Sequence, residues 1–204
     1  MANENFHRTS VNDESFIRGA ARLLWAGTTV AFPTKLASVI NLSTFEAETG
    51  WNDLGATKNG ITITINNSEE EFDVDQILGD IATEPTSWEC SVGTQLAEFT
   101  EERMQIAWEG SGIIVDSTVT PNEKEIGFGQ PTSYTQRRLA VLFQRPNGKI
   151  RGYFFRKVQR TPAESTITHA KTGEQISIPV TWKALADASV AEVKKRFFII
   201  RDQM

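Results

Sequence analysis

The chain has 204 residues, 39% of them hydrophobic, with a formal net charge of −5, two histidines and one cysteine. That length holds one large or two small domains and buries a sizeable core. The lone Cys90 excludes an intrachain disulfide and a thiolate metal cluster, and no apolar run, Phe197 to Ile200 included, nears the roughly 20 residues of a membrane span.

The net charge conceals a division. Residues 1–102 carry 17 acids and 5 bases, and residues 103–204 carry 9 acids and 16 bases. Acidic and basic strands alternating around one surface give such a division, and so does a protein whose copies meet acidic patch to basic patch. Abundant Phe, Thr, Val and Trp favour strands, so the chain reads as mainly β.

Residues 1–12 are polar, without an apolar signal core, and read as an arm. From Asp13 to Trp25 a helical stripe (Phe16, Ile17, Ala20, Ala21, Leu24) competes with a strand starting at Arg22. Gly27 to Pro33 is a bend. Thr34 to Gly50 is a long, sparsely apolar excursion, which inside a compact domain needs a reason such as docking. Trp51 to Gly60 is rich in turn residues, with Gly55 and Asn59-Gly60 as breakers.

Between Lys58 and Arg103 the chain has eleven carboxylates and no Lys or Arg. Three strand-like runs lie there. Ile61, Ile63 and Ile65 alternate with Thr62 and Thr64; Glu69, Glu71, Asp73 and Asp75 alternate with residues that include Phe72 and Val74; Ser87, Glu89 and Ser91 alternate with Trp88, Cys90 and Val92. Asn66-Asn67 suits a turn between the first two, and Pro85 suits the start of the third. Each run has an apolar face and a small or acidic one, so within one sheet the wet side becomes a wall of carboxylates and hydroxyls. Cys90 falls on the apolar parity, as a buried small hydrophobe rather than a nucleophile.

The clearest helix follows. Thr100 is an N-cap, Glu101 and Glu102 complement the positive end, Phe99 and Met104 form a staple, and Gly110 supplies a left-handed C-terminal residue. Met104, Ala107 and Trp108 make its buried stripe. Beyond it come a short strand at Ile113 to Thr120, a loop to Gln136, and a basic hairpin of Leu139 to Phe143 and Ile150 to Val158 around Asn147-Gly148. Glu174 to Leu185 alternates again. The tail, residues 188–204, ends in Phe197, Phe198, Ile199 and Ile200, as a last core strand or an arm binding a neighbour.

His7 and His169 are far apart and stand beside no Cys or His-x-Glu pattern, which argues against a zinc site or a His-based triad. The chain has no Gly-rich phosphate loop and no nucleophile elbow. Alternating acids at Glu69 to Asp75 fit a solvated strand face better than a calcium loop or a glycosidase pair. The chain reads as a non-enzyme without cofactors or metals.

In order and spacing, several motifs resemble the major tail tube proteins of long-tailed, siphovirus-type bacteriophages. They are Gly50-Trp51-Asn52-Asp53-Leu54-Gly55-Ala56-Thr57 with Asn59-Gly60-Ile61, then Val74-Asp75-Gln76, Glu84-Pro85-Thr86-Ser87-Trp88, Thr94-Gln95-Leu96-Ala97-Glu98 and the helix Thr100 to Trp108. The likeness covers about residues 22–110 and thins beyond; none of these motifs is a catalytic fingerprint. It implies a single tail-tube domain over 1–204, a β-sandwich or barrel with one flanking α-helix, whose inner strands form a shared barrel in a hexameric ring. Rings would stack into a tube. The N-terminal arm (about 1–18), a stacking loop (about 34–50) and the C-terminal arm (about 188–204) would bridge subunits, with Phe45, Trp51, Phe197 and Phe198 as contact residues.

Expected partners are other copies of the chain, the tape measure, tail-tip and tail terminator proteins, and genomic double-stranded DNA in transit. The protein would be made soluble in the host cytoplasm, end in the virion tail and insert in no membrane. Glu69, Glu71, Asp73, Asp75 and Glu89 would line the channel, because an acidic wall does not hold duplex DNA as a basic one does. A reading from another class is a monomeric β-sandwich binding module, for receptor binding or capsid decoration.

Overall fold

A computed structural model describes residues 21–74, 77–161 and 176–204, with backbone alone for 71–74 and 77–83. The expectations for the N-terminal arm and for Asp75 lie outside the described residues. The chain is mainly β: an eight-stranded antiparallel sheet in which β2 (Asn52–Asp53), β1 (Ala21–Gly27), β7 (Gln136–Gln144), β8 (Ile150–Arg160), β9 (Ile178–Leu185), β4 (Ile77–Leu96) and β3 (Thr57–Val74) lie side by side. The eighth strand, β10 (Phe198–Asp202), pairs with residues 151–155 of β8, in line with β9, which pairs with residues 157–160 of it. A separate pair, β5 (Ile114–Asp116) and β6 (Glu123–Glu125), stands apart. Among the described residues no helix is long and apolar enough to cross a membrane.

Strands β1, β7 and β8 are apolar on both parities because both faces of the sheet are covered there. Leu23, Leu139, Val141, Phe155 and Trp182 belong to one cluster; Leu24, Ala140, Leu142 and Phe154, their alternate neighbours, belong to a second. The helix α1 (Glu101–Trp108) covers the first with Ile106 and Ala107, and Met104 and Trp108 pack at its margin. Thr100 caps it by accepting from the Arg103 amide, but the left-handed residue at its end is Glu109 (φ 54°), not Gly110. Gly110 is needed for closeness instead: a Cβ there would stand 2.6 Å from the Phe128 ring.

The excursion over 34–50 covers the second cluster, with Leu36, Val39 and Ile40 buried. Trp51 is 5% exposed in the same cluster, so its ring anchors the excursion within its own subunit. The motif around it has local reasons. Leu54 is fully buried, Asp53 accepts from the Gly55 amide and pairs with Arg22, and Gly55 (φ +78°) lets the Glu98 carboxylate approach and accept from the Ala56 amide.

The hairpin at Asn147-Gly148 forms, with Gly148 at φ +80°. Asn66-Asn67 does not turn. The two runs expected on either side of it are one continuous 18-residue strand, β3, paired along its length with the 20-residue β4. Pro85 is inside β4, not at a strand start, beside a bulge that leaves Thr86 without a partner across the ladder.

Candidate assembly surface and channel face

The β3–β4 hairpin is longer than the sheet that supports it. Among the described residues β9 pairs with residues 91–96 of β4, and residues 77–90 have β3 as their one strand neighbour. At about 3.3 Å per residue the ten β3 residues opposite this overhang, 65–74, make roughly 30 Å of two-stranded ribbon. The outer edge of β3 has no partner strand among the described residues. Such edges present rows of backbone donors and acceptors that template pairing with another chain.

At the ribbon's root the core parity is Ile61, Ile63, Val92 and Cys90. Burial pushes the Cys90 thiol up to about 11, which keeps it neutral and unreactive. The opposite parity is polar. Register sets Thr62, Gly93 and Thr181 in one row across β3, β4 and β9, and Thr64, Ser91, Lys183 and Gln159 in the next, across β3, β4, β9 and β8. Glu89, opposite Asn66, belongs to this face and accepts from Lys183 Nζ at 2.5 Å. No local pattern could place these two together, since they are 94 residues apart in sequence.

The other expected channel residues divide. Because β3 does not turn at Asn66-Asn67, and the extra residue of the bulge lies on β4, alternation along β3 puts Glu69 on the parity of the isoleucines, past the end of the core, where it is exposed. Glu69 and Glu89 therefore lie on opposite faces of the ribbon, a correction to the single acidic wall. Glu71 and Asp73 occupy the backbone of β3 further out. On the described part of the polar face the groups near the core are hydroxyls and amides, with the Glu89 charge answered by Lys183, and further out on the same parity lies the cross-strand pair Glu70 and Glu84.

Comparison with known protein families finds no matching family model, and comparison with curated proteins finds no match.

The remaining expected contact residues sit at three places. Phe45 is exposed in a left-handed conformation (φ 59°), with its carbonyl accepting from Arg22. Phe197 and Phe198 pack on their own subunit, Phe197 against Trp88 at 4.3 Å between ring centroids and Phe198 against Phe155 at 5.1 Å. The C-terminal segment joins the sheet of its own subunit through β10, whose residues are half-buried or exposed.

A cleft of about 640 Å³ lies between α1 and the β1–β2 edge, lined by Trp25, Asp53, Arg103, Glu109 and Arg137 among others. Within its lining Arg137 pairs with Glu109 at 2.6 Å, and two further lining residues pair with groups outside it, Arg103 with Glu98 at 3.7 Å and Asp53 with Arg22.

Proposed function

We propose that this chain is a structural subunit that polymerises as stacked rings into a tube, as the phage tail tube proteins it resembles do, and that viral genomic DNA passes down the tube. The observation that carries the reading is the overhanging β3–β4 ribbon. A monomer gains nothing from two long strands with uncovered edges, which are a hazard for uncontrolled pairing. A neighbour that adds its own strand satisfies those backbone groups and extends the sheet from subunit to subunit. Closed into a ring, hexameric by resemblance, the sheets would present the face of Thr62, Thr64, Ser91 and Thr181 as the channel wall, with Glu89 beside Lys183. A wall of hydroxyls on which Lys183 answers Glu89, with the acids Glu70 and Glu84 further out, offers duplex DNA no counterion-releasing grip. Tape measure, tail-tip and terminator proteins are the partners such a tube requires, and the virion tail its location.

Negative-stain microscopy of the purified protein at high concentration, alone and with a tail-tip nucleus, tests the reading. Rings or tubes of uniform diameter are the expected result. A sample that stays monomeric under both conditions sinks it and favours a monomeric binding module.

A further inference from the structure

The ring of Phe32, just after β1, lies among arginines. Arg156 Cζ is 3.9 Å from the ring centroid and Arg138 Cζ 5.7 Å. Arg156 is held in place by donating from Nε to the Lys195 carbonyl at 2.6 Å. Arg138 donates from Nη2 to the Thr28 carbonyl, while its buried Nε and Nη1 have no partner. Beside them is a cleft of about 260 Å³ lined by Phe32, Thr34, Arg156, Lys195 and Arg201. Five other arginines of the fold, Arg22, Arg103, Arg137, Arg145 and Arg151, have a carboxylate within 4 Å. Among the described residues Arg138, Arg156 and Arg201 have none, nor do Arg160 and Arg196 elsewhere. Burial lowers the pKa of Arg138, Asp187 acts against that, and the charge of Arg156 adds to it; a guanidinium stays charged regardless. The cleft is a cationic site with an aromatic floor, in which Lys195 is paired with Glu192 and the guanidinium groups of Arg156 and Arg201 have no carboxylate within 4 Å among the described residues.

The ribbon carries the opposite deficit. From Ser68 to Glu84 the sequence has seven acids and no base. Glu70 and Glu84 are direct cross-strand partners and both are exposed. Like charges directly opposite each other on paired strands are destabilising, and neither has a cation within 4 Å among the described residues. Such a pair is relieved by cations from outside the ribbon.

We infer that the arginine cleft beside Phe32 receives the Glu70–Glu84 end of the β3–β4 ribbon from another copy of this chain. The inference rests on the proposed self-assembly and names its charge-bearing contact. Arginine forks match carboxylates in pairs, and the overhang gives the ribbon the reach to leave its own subunit.

The test uses the full chain, with polymer formation followed by sedimentation and folding checked by circular dichroism. Arg201→Glu removes an exposed arginine that the fold does not use, and Arg156→Glu removes the one stacked on Phe32. Each should raise the protein concentration needed for assembly about tenfold or more, in the manner of a desolvated interface charge. Glu84→Lys should do the same while making the isolated subunit more stable, because it ends the Glu70–Glu84 repulsion. Arg201→Glu combined with Glu84→Lys should restore assembly. If the wild type assembles and Arg201→Glu, Arg156→Glu and Glu84→Lys assemble equally well, the contact is wrong while the tube reading stands. A wild type that never assembles removes both. If the arginine variants instead lose retention of a duplex DNA fragment with assembly intact, the cleft takes phosphates, and the ribbon is not its occupant.

Discussion

The indole of Trp88 on β4 sits 4.3 Å from the Phe197 ring and 6.2 Å from that of Phe198, centroid to centroid. Trp88 lies beyond the reach of β9, on the overhang itself. The contact therefore clamps the root of the ribbon to the C-terminal strand. Trp88→Ala should cost about 1–2 kcal/mol, the scale of an aromatic cluster that is not fully buried. Amide exchange should accelerate at Phe198–Asp202 well before it does in β7. Equal protection of β10 in variant and wild type would show that the backbone ladder to β8 holds the tail unaided.

Glu109 and Arg137 form the most enclosed ion pair among the described residues, 2.6 Å apart with side chains 4% and 9% exposed. Glu109 also accepts from the Thr135 amide, and Arg137 lies 5.8 Å over the Trp25 ring. Glu109→Ala strands a buried guanidinium, so the expected loss is about 3–5 kcal/mol, read as a lower urea midpoint with unchanged slope. Replacing both, Glu109→Leu with Arg137→Met, should cost less than Glu109→Ala alone. A double variant worse than the single would mean that the pair's hydrogen bonds, rather than charge neutralisation, hold the end of α1 to β7.

Asp187 fastens the segment after β9. Its carboxylate accepts from the Ser189 hydroxyl at 2.7 Å and from Lys157 at 3.0 Å, and its amide donates to the Arg196 carbonyl. The hydrogen bond from Ser189 is the largest cause lowering its pKa from 3.8 to about 2, with Lys157 also contributing against the cost of burial. A carboxyl depressed in the folded state stabilises fully above its unfolded pKa and loses that contribution as pH falls through the folded one. The stability gap between wild type and Asp187→Asn should be constant at neutral pH and close between about pH 4 and 2. A gap that persists at the acid end would assign the effect to packing.

What the sequence disclosed depends on how local the cause was. Asn147-Gly148 fixes its hairpin through residues that tolerate positive φ, and Thr100 caps α1 with its own hydroxyl; both causes lie within a few residues. Asn66-Asn67 has a similar composition and stays extended, because Ile65 to Ser68 find partners from Cys90 to Ser87 in unbroken register. Tertiary pairing overrode turn propensity there, and Glu69 took the parity of the isoleucines as a result. The excursion over 34–50 buries Leu36, Val39 and Ile40 from irregular backbone, which leaves no period to read. The same holds for the candidate site. The threonine face was legible strand by strand, whereas the meeting of Glu89 with Lys183 and the gathering of Arg138 and Arg156 on Phe32 depend on strands far apart in sequence.

In the proposed tube, the face bearing Thr62 and Glu89 is the channel wall, and its charge sets how duplex DNA moves. Thr62→Lys with Glu89→Lys adds cations there and frees Lys183 from its partner, without touching the core parity of either strand. Tubes should still form, but they should hold duplex DNA at low salt. Log retention should fall with log salt at a slope of about −0.9 for each lysine that neutralises a phosphate. The control is Glu123→Lys on β6, an exposed acid away from the ribbon, which alters surface charge without altering the proposed wall. Retention by the wall variant alone is the expected result, because only an enclosed surface surrounds the duplex on all sides. Equal retention by the control would mean that DNA is bound outside, and that this face does not line the passage.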